Sequence, residues 1–237
     1  MTAIEAMNPA NQELFQVTSR RSTKALETVV HSFSSVSDGQ RINTAQLLDA
    51  CRSHLQLIQS GGAALALVAK DLDQNLLKAE AFYRTRPKDC FDLASLLEIE
   101  QMSGVHNGNK LGETSAAMGL LWIRRSLSFQ MELYSSIIES DRDGKSPSDA
   151  ALDSYSKHLL PFHGWVLQKI FPVSLSQMPE RKVLLSTLGG VALQDLNQEC
   201  ERMILEKLSE LVFMWGPLIG AWKEEFERLG LEDTRRV

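Results

Sequence analysis

From Thr23 to Leu229 the apolar residues recur at helical spacing, and no convincing run of alternating apolar and polar residues interrupts them. That periodicity predicts an all-α chain. Helices are expected over Thr23–Val36, Thr44–Gln59, Ala63–Tyr83, Cys90–Met102, Glu113–Ser140, Pro147–Phe171, Pro179–Leu188 and Val191–Leu229. The breakers fall between them: Ser37-Asp38-Gly39, Gly61-Gly62, Arg86-Pro87, Gly104 to Gly108 and Asp141 to Pro147. The connectors are too short to separate domains, so residues 1–237 read as one domain, with residues 1–22 a loosely held N-terminal segment. Gly61–Ala69 and Met118–Ile123 are apolar all round, which places them at the centre of the bundle.

Charge and cysteine usage exclude several function classes. A net charge of −5 argues against a nucleic-acid partner, which calls for a basic excess. Cys51, Cys90 and Cys200 are far apart and odd in number, and no Cys/His cluster has metal-ligand spacing. The first residues lack a basic region followed by an apolar one, so they are no signal peptide. The uncharged stretch Leu211–Trp222 is too short to span a bilayer. The chain reads as a reduced, cytoplasmic, monomeric protein. No nucleophile elbow, Ser/His/Asp order or HExxH spacing appears, and Glu98, Glu100, Asp141 and Asp143 read as solvated carboxylates. GVHNGNKLGET (Gly104–Thr114) lacks the Gly-Lys-Ser/Thr spacing of a phosphate loop and reads as an exposed turn.

Three stretches stand out. In KDLDQNLLKAE (Lys70–Glu80), Asp71, Asn75 and Lys78 follow i, i+4, i+7 and lie within roughly 60° of one another about a helix axis. Ala64 and Val68 continue the same stripe as apolar residues, and Asp73 points away as a plain surface charge. The stripe is either a solvated helix end or the polar mouth of an apolar pocket. In MGLLWIRRSLSF (Met118–Phe129), Met118, Trp122, Arg125 and Phe129 share a face. That face either packs a core or offers an indole on which a sugar ring lies. In PFHGWVLQKIF (Pro161–Phe171), His163 sits among apolar residues as a structural hydrogen-bonder or a ligand contact, and Trp165 with Lys169 could anchor at a membrane surface.

Taken in order, Asp71/Asn75/Lys78, LLWIRRSLSF (Leu120–Phe129) and HGWVLQKIF (His163–Phe171) closely resemble the glycolipid transfer protein family. NLLKAEAFYRTRP (Asn75–Pro87), LEIEQ (Leu97–Gln101) and YSSIIESDRD (Tyr134–Asp143) add to the match. The resemblance is strong over Leu47 to Phe171; the C-terminal third shares only helical character. It implies a two-layer helical sandwich of about eight helices that carries one sphingolipid, with no cofactor, metal or reaction.

By similarity, Asp71, Asn75 and Lys78 hydrogen-bond the first sugar and the amide region. Trp122 stacks under the sugar and His163 binds the ceramide amide oxygen. Met118, Phe129, Leu133, Leu159 and Phe171 are the candidates for the apolar pocket, and Trp165 and Lys169 for transient membrane contact. Family members selective for ceramide-1-phosphate use cationic residues about the head group and lack the Trp. Trp122, with Ser126 one turn on, therefore favours a sugar (galactosyl-, glucosyl- or lactosylceramide), while Arg124 and Arg125 leave a charged or sulfated glycan open and motivate a ceramide-1-phosphate alternative. A third reading, a lipid sensor acting through a protein partner, rests on the unmatched helix Glu199–Gly230, which Gly216-Pro217 should kink.

Overall fold

A computed structural model describes residues 23–60 and 62–236. Residues 1–22, Gly61 and Val237 lie outside the described residues, as do the side chains of Ala63 and Ala64 and those of residues 141–143, where the expected solvated carboxylates of Asp141 and Asp143 fall. Nine α-helices and one 3-10 turn are found among the described residues: α1 Lys24–Ser34, α2 Thr44–Gln59, α3 Ala63–Thr85, α4 Leu93–Met102, α5 Ala116–Asp143, α6 Pro147–His158, α7 Trp165–Leu175, α8 Arg181–Gly189, the 3-10 turn Leu193–Asp195, and α9 Gln198–Arg228. No strand forms among them; three isolated bridges tie loops instead.

The starts of the helices follow cap chemistry. Asn43, Asp92, Ser115, Ser146 and Asn197 each accept a hydrogen bond from the backbone N–H three residues on. Two expected helices are corrected. Pro147–Phe171 splits into α6 and α7, because Pro161 has no N–H to donate and restricts Leu160 before it. Val191–Leu229 begins only at Gln198, where Asn197 caps it. α9 runs as one helix through Gly216 and Pro217, although Pro217 has no N–H to donate to the turn before it.

α5 is the centre of the sandwich, packed against α3, α4, α6 and α9. Met118 to Ile123 are all buried, Gly119 directly beneath α3, so this segment lies where its composition placed it. The other apolar segment is less enclosed, since Ala66 is exposed while Leu65, Val68 and Ala69 are buried. α9 closes the sandwich by burying Leu211, Trp215, Trp222 and Phe226 completely, with Trp215 edge-on to Phe33 and His54. Removing residues 199–237 would therefore open the core, so that truncation does not separate sensing from carrying.

Asp73 is not a plain surface charge. It pairs with Arg52 at 2.6 Å, and Arg52 also holds Glu80, which pins α2 to α3. Glu100 is not solvated either. It is buried, and its two oxygens accept from the backbone N–H groups of Ala116 and Ala117 at 2.6 Å each. A carboxylate at the positive end of α5 fixes where that helix begins, and hence the phase of Trp122.

Candidate lipid-binding site

The polar stripe of α3 forms a relay. Lys78 Nζ donates to Asn75 Oδ1 at 3.2 Å, and Asn75 Nδ2 donates to Asp71 Oδ1 at 3.2 Å and to its backbone oxygen at 3.0 Å. Asn75 is buried, while Asp71 and Lys78 are partly exposed, so the relay opens to solvent at both ends. Burial pushes the Asp71 carboxyl up to about 6, against the opposing pull of Lys78 and Asn75. At neutral pH it is ionised and accepts hydrogen bonds only.

α5 meets this stripe at very close range. A Cβ on Gly119 would stand 2.5 Å from the Asn75 carbonyl oxygen and 3.1 Å from Lys78 Cβ, so only glycine admits the crossing. The two helices run antiparallel there. Thr114 to Ala116 share a cavity of about 250 Å³ with Lys78 and Phe82, and Gly119 lies against Asn75, which brings Trp122, one turn later, towards Asp71.

Trp122 is only 5% exposed. The His163 ring stacks on it with centroids 5.2 Å apart at 25°, and the Arg125 guanidinium stands 5.2 Å from its centroid. The indole is thus packed as core, one turn from the Gly119 crossing. His163 and Arg125 together cover much of the indole.

His163 is buried and held on a small aromatic frame. Tyr155 Oη lies 3.2 Å from its Nδ1, and Phe171 stacks on Tyr155 at 5.5 Å while its centroid stands 4.6 Å from His163. Burial, with Arg125 nearby, lowers the imidazole to about 4, so it is neutral. When the Tyr155 hydroxyl donates to Nδ1, the proton stays on Nε2, leaving one N–H for a carbonyl oxygen.

Met118, Phe129, Leu133, Leu159 and Phe171 are all buried in the hydrophobic core, Phe171 against His163 itself. At the start of α7, Trp165 is 77% exposed, and Val166, Lys169, Ile170 and Val173 are exposed with it. An apolar face of this size, with one cation on it, stands outside every core of the fold.

Several contributors had no sequence signal strong enough to single them out: Gly119, Glu100 and Tyr155. Each acts through a partner distant in sequence or through a close backbone approach.

The profile of the glycolipid transfer protein family, "Glycolipid transfer protein (GLTP)", matches residues 42–190. This chain belongs to the glycolipid transfer protein family. Among its relatives, Arabidopsis thaliana glycolipid transfer protein 1 is 27% identical over 199 residues, covering 84% of this chain and 91% of that protein. The Danio rerio glycolipid transfer protein is 28% identical over 176 residues, covering 72% and 81%. The fold is shared with HET-C2, a fungal glycolipid transfer protein (TM-score 0.73, 24% identity, 88% of this chain and 100% of that one). It is shared equally with the human ceramide-1-phosphate transfer protein bound to 12:0 ceramide-1-phosphate (TM-score 0.74, 16% identity, 87% and 97%). Coverage of 88% exceeds what residues 1–190 of 237 can supply, so the common glycolipid transfer protein fold extends into the C-terminal third. The expectation that this third shares only helical character is corrected accordingly.

Proposed function

We propose that this lipid transfer protein acts without catalysis, as a single carrier domain for one glycosphingolipid of the galactosyl-, glucosyl- or lactosylceramide type. The observation that carries this reading is the Lys78–Asn75–Asp71 relay, held by the Gly119 crossing beside Trp122 and His163. A carboxylate, an amide and an ammonium in hydrogen-bonded sequence match the mixed donors and acceptors of sugar hydroxyls and an amide. The neutral His163 supplies an N–H to the ceramide carbonyl, and the apolar set Met118, Phe129, Leu133, Leu159 and Phe171 receives the chains. Each methylene withdrawn from water is worth about 0.8 kcal/mol, so chain burial supplies most of the binding energy and the polar cluster supplies the choice of head group.

The test is transfer between vesicles, comparing glucosyl- and galactosylceramide with ceramide-1-phosphate. The neutral glycolipids are expected to move faster, and a protein that moves no glycosylated ceramide sinks this reading. We place the membrane contact at the exposed face of α7. Trp165→Ala is expected to slow transfer roughly five- to tenfold, through loss of interfacial aromatic area, without changing the melting temperature. Unchanged transfer and unchanged vesicle retention would remove α7 from the contact.

A further inference from the structure

α5 carries two consecutive arginines, Arg124 and Arg125, each only 5% exposed. Their guanidinia converge on one carboxylate from the end of the chain. Arg124 Nη2 donates to Glu232 Oε2, while Arg125 Nη2 lies 3.6 Å from Glu232 Oε1 and donates to the Asp233 carbonyl. The Nε–H groups of both arginines are buried and have no hydrogen-bond partner. Two buried cations therefore share one carboxylate, with donors to spare. The Asp233 carboxylate is engaged elsewhere, accepting from Leu111 N at 2.9 Å and from Arg235 Nη2 at 2.6 Å.

This cluster lies against the head-group residues. The Arg125 guanidinium is 5.2 Å from the Trp122 ring centroid and 3.5 Å from that of Phe162, next to His163 in sequence. Glu232 is the member that reaches solvent, its side chain 25% exposed. The tail holding it is fastened on both sides. Leu231 is fully buried, Arg235 donates to the Leu111 carbonyl at 3.0 Å, and Arg236 donates to the Pro161 carbonyl at 3.3 Å.

We propose that Glu232 occupies, from within the chain, a two-arginine anion site beside Trp122, and so sets the preference for an uncharged sugar over a phosphate monoester. A carboxylate bridging two guanidinia presents the charge and the acceptor oxygens that a lipid phosphate would present. While it is there, an incoming phosphate meets a like charge and finds both cations engaged. Glu232 is a positioning and specificity residue and need not touch the sugar. The inference rests on the lipid-carrier reading above.

The test compares wild type with Glu232→Gln, which keeps the shape and an acceptor but removes the charge. The readout is the ratio of ceramide-1-phosphate to glucosylceramide transfer between phosphatidylcholine vesicles, with retention on vesicles doped with ceramide-1-phosphate measured alongside. The ratio is expected to rise roughly tenfold, as for one partly screened charge pair removed near the ligand, and retention to rise with it. A merely structural role would lower both lipids together and leave the ratio unmoved. A folded Glu232→Gln protein with unchanged ratio and unchanged retention overturns the proposal. Gained retention in a protein that moves no glucosylceramide instead upholds the anion site and overturns the glycolipid reading. Glu232→Ala, with the same expectation, is the second variant should the first fail to fold.

Discussion

Asp71→Asn is expected to reduce glucosylceramide transfer roughly a hundredfold while making the protein more stable at neutral pH. The loss follows from the acceptor. An ionised carboxylate takes hydrogen bonds from two sugar hydroxyls, whereas an amide offers one oxygen and presents an unwanted N–H to the other. Charged hydrogen bonds are worth about 1.5–3 kcal/mol each, which covers the expected loss. Asparagine rather than valine is the informative replacement, because its oxygen can still accept from Asn75 Nδ2 and the relay survives.

The gain in stability has the opposite sign for a definite reason. Burial raises the carboxyl from its ordinary 3.8 to about 6, so the fold disfavours the ionised form. The stability tied to this group is complete below pH 4 and is lost as pH rises through 6. Neutralising it should return about 2 kcal/mol at pH 7, after allowance for its partial exposure, or a rise in melting temperature of about 5 °C. Wild-type transfer should also fall as pH is lowered through 6, while the variant's profile stays flat there. A variant that transfers normally, or melts lower than wild type, removes Asp71 from the head-group site.

The sandwich was legible because each helix carries its own periodicity and caps, both local properties. The Asp71, Asn75 and Lys78 stripe was legible for the same reason, since i, i+4, i+7 fixes a shared face before any tertiary contact forms. Trp122 was legible as a residue and not as a geometry. Spacing left core and platform open, and the stacked His163, 41 residues away, is packing that spacing could not show. The break at Leu159–Gly164 was available from Pro161 and was masked by the apolar run on either side of it.

What could not be read was non-local. Glu232 reaches Arg124 across 108 residues, and Glu100 reaches the start of α5 from the preceding helix. Neither acid has a spacing that sets it apart from the other carboxylates of an acidic chain. Polar groups of this kind acquire a role only when folding brings a partner, and pattern arguments over one helix do not see that partner.

Gly119→Ala should show how far the site depends on one such approach. Helix propensity alone favours alanine by about 0.5–1 kcal/mol at an interior helical position. The crossing opposes it more strongly. The added methyl would stand 2.5 Å from the Asn75 carbonyl oxygen, a backbone atom inside α3 that cannot turn away, with Lys78 Cβ at 3.1 Å and Ala79 N at 3.4 Å. Ordinary carbon–oxygen contact therefore requires α3 and α5 to separate by roughly 0.7 Å, and overpacking on that scale costs about 1–3 kcal/mol. The net expectation is a loss of about 1–2 kcal/mol, seen as a drop in melting temperature of about 3–6 °C. Transfer should fall further than stability does, because the displaced carbonyl belongs to Asn75, the middle of the relay, and Trp122 moves with α5. Sites held a fraction of an ångström out of place lose binding out of proportion to their stability, roughly tenfold or more. If Gly119→Ala melts above wild type and carries glucosylceramide at the normal rate, propensity has won, and the α3–α5 crossing is not what holds the polar relay against Trp122.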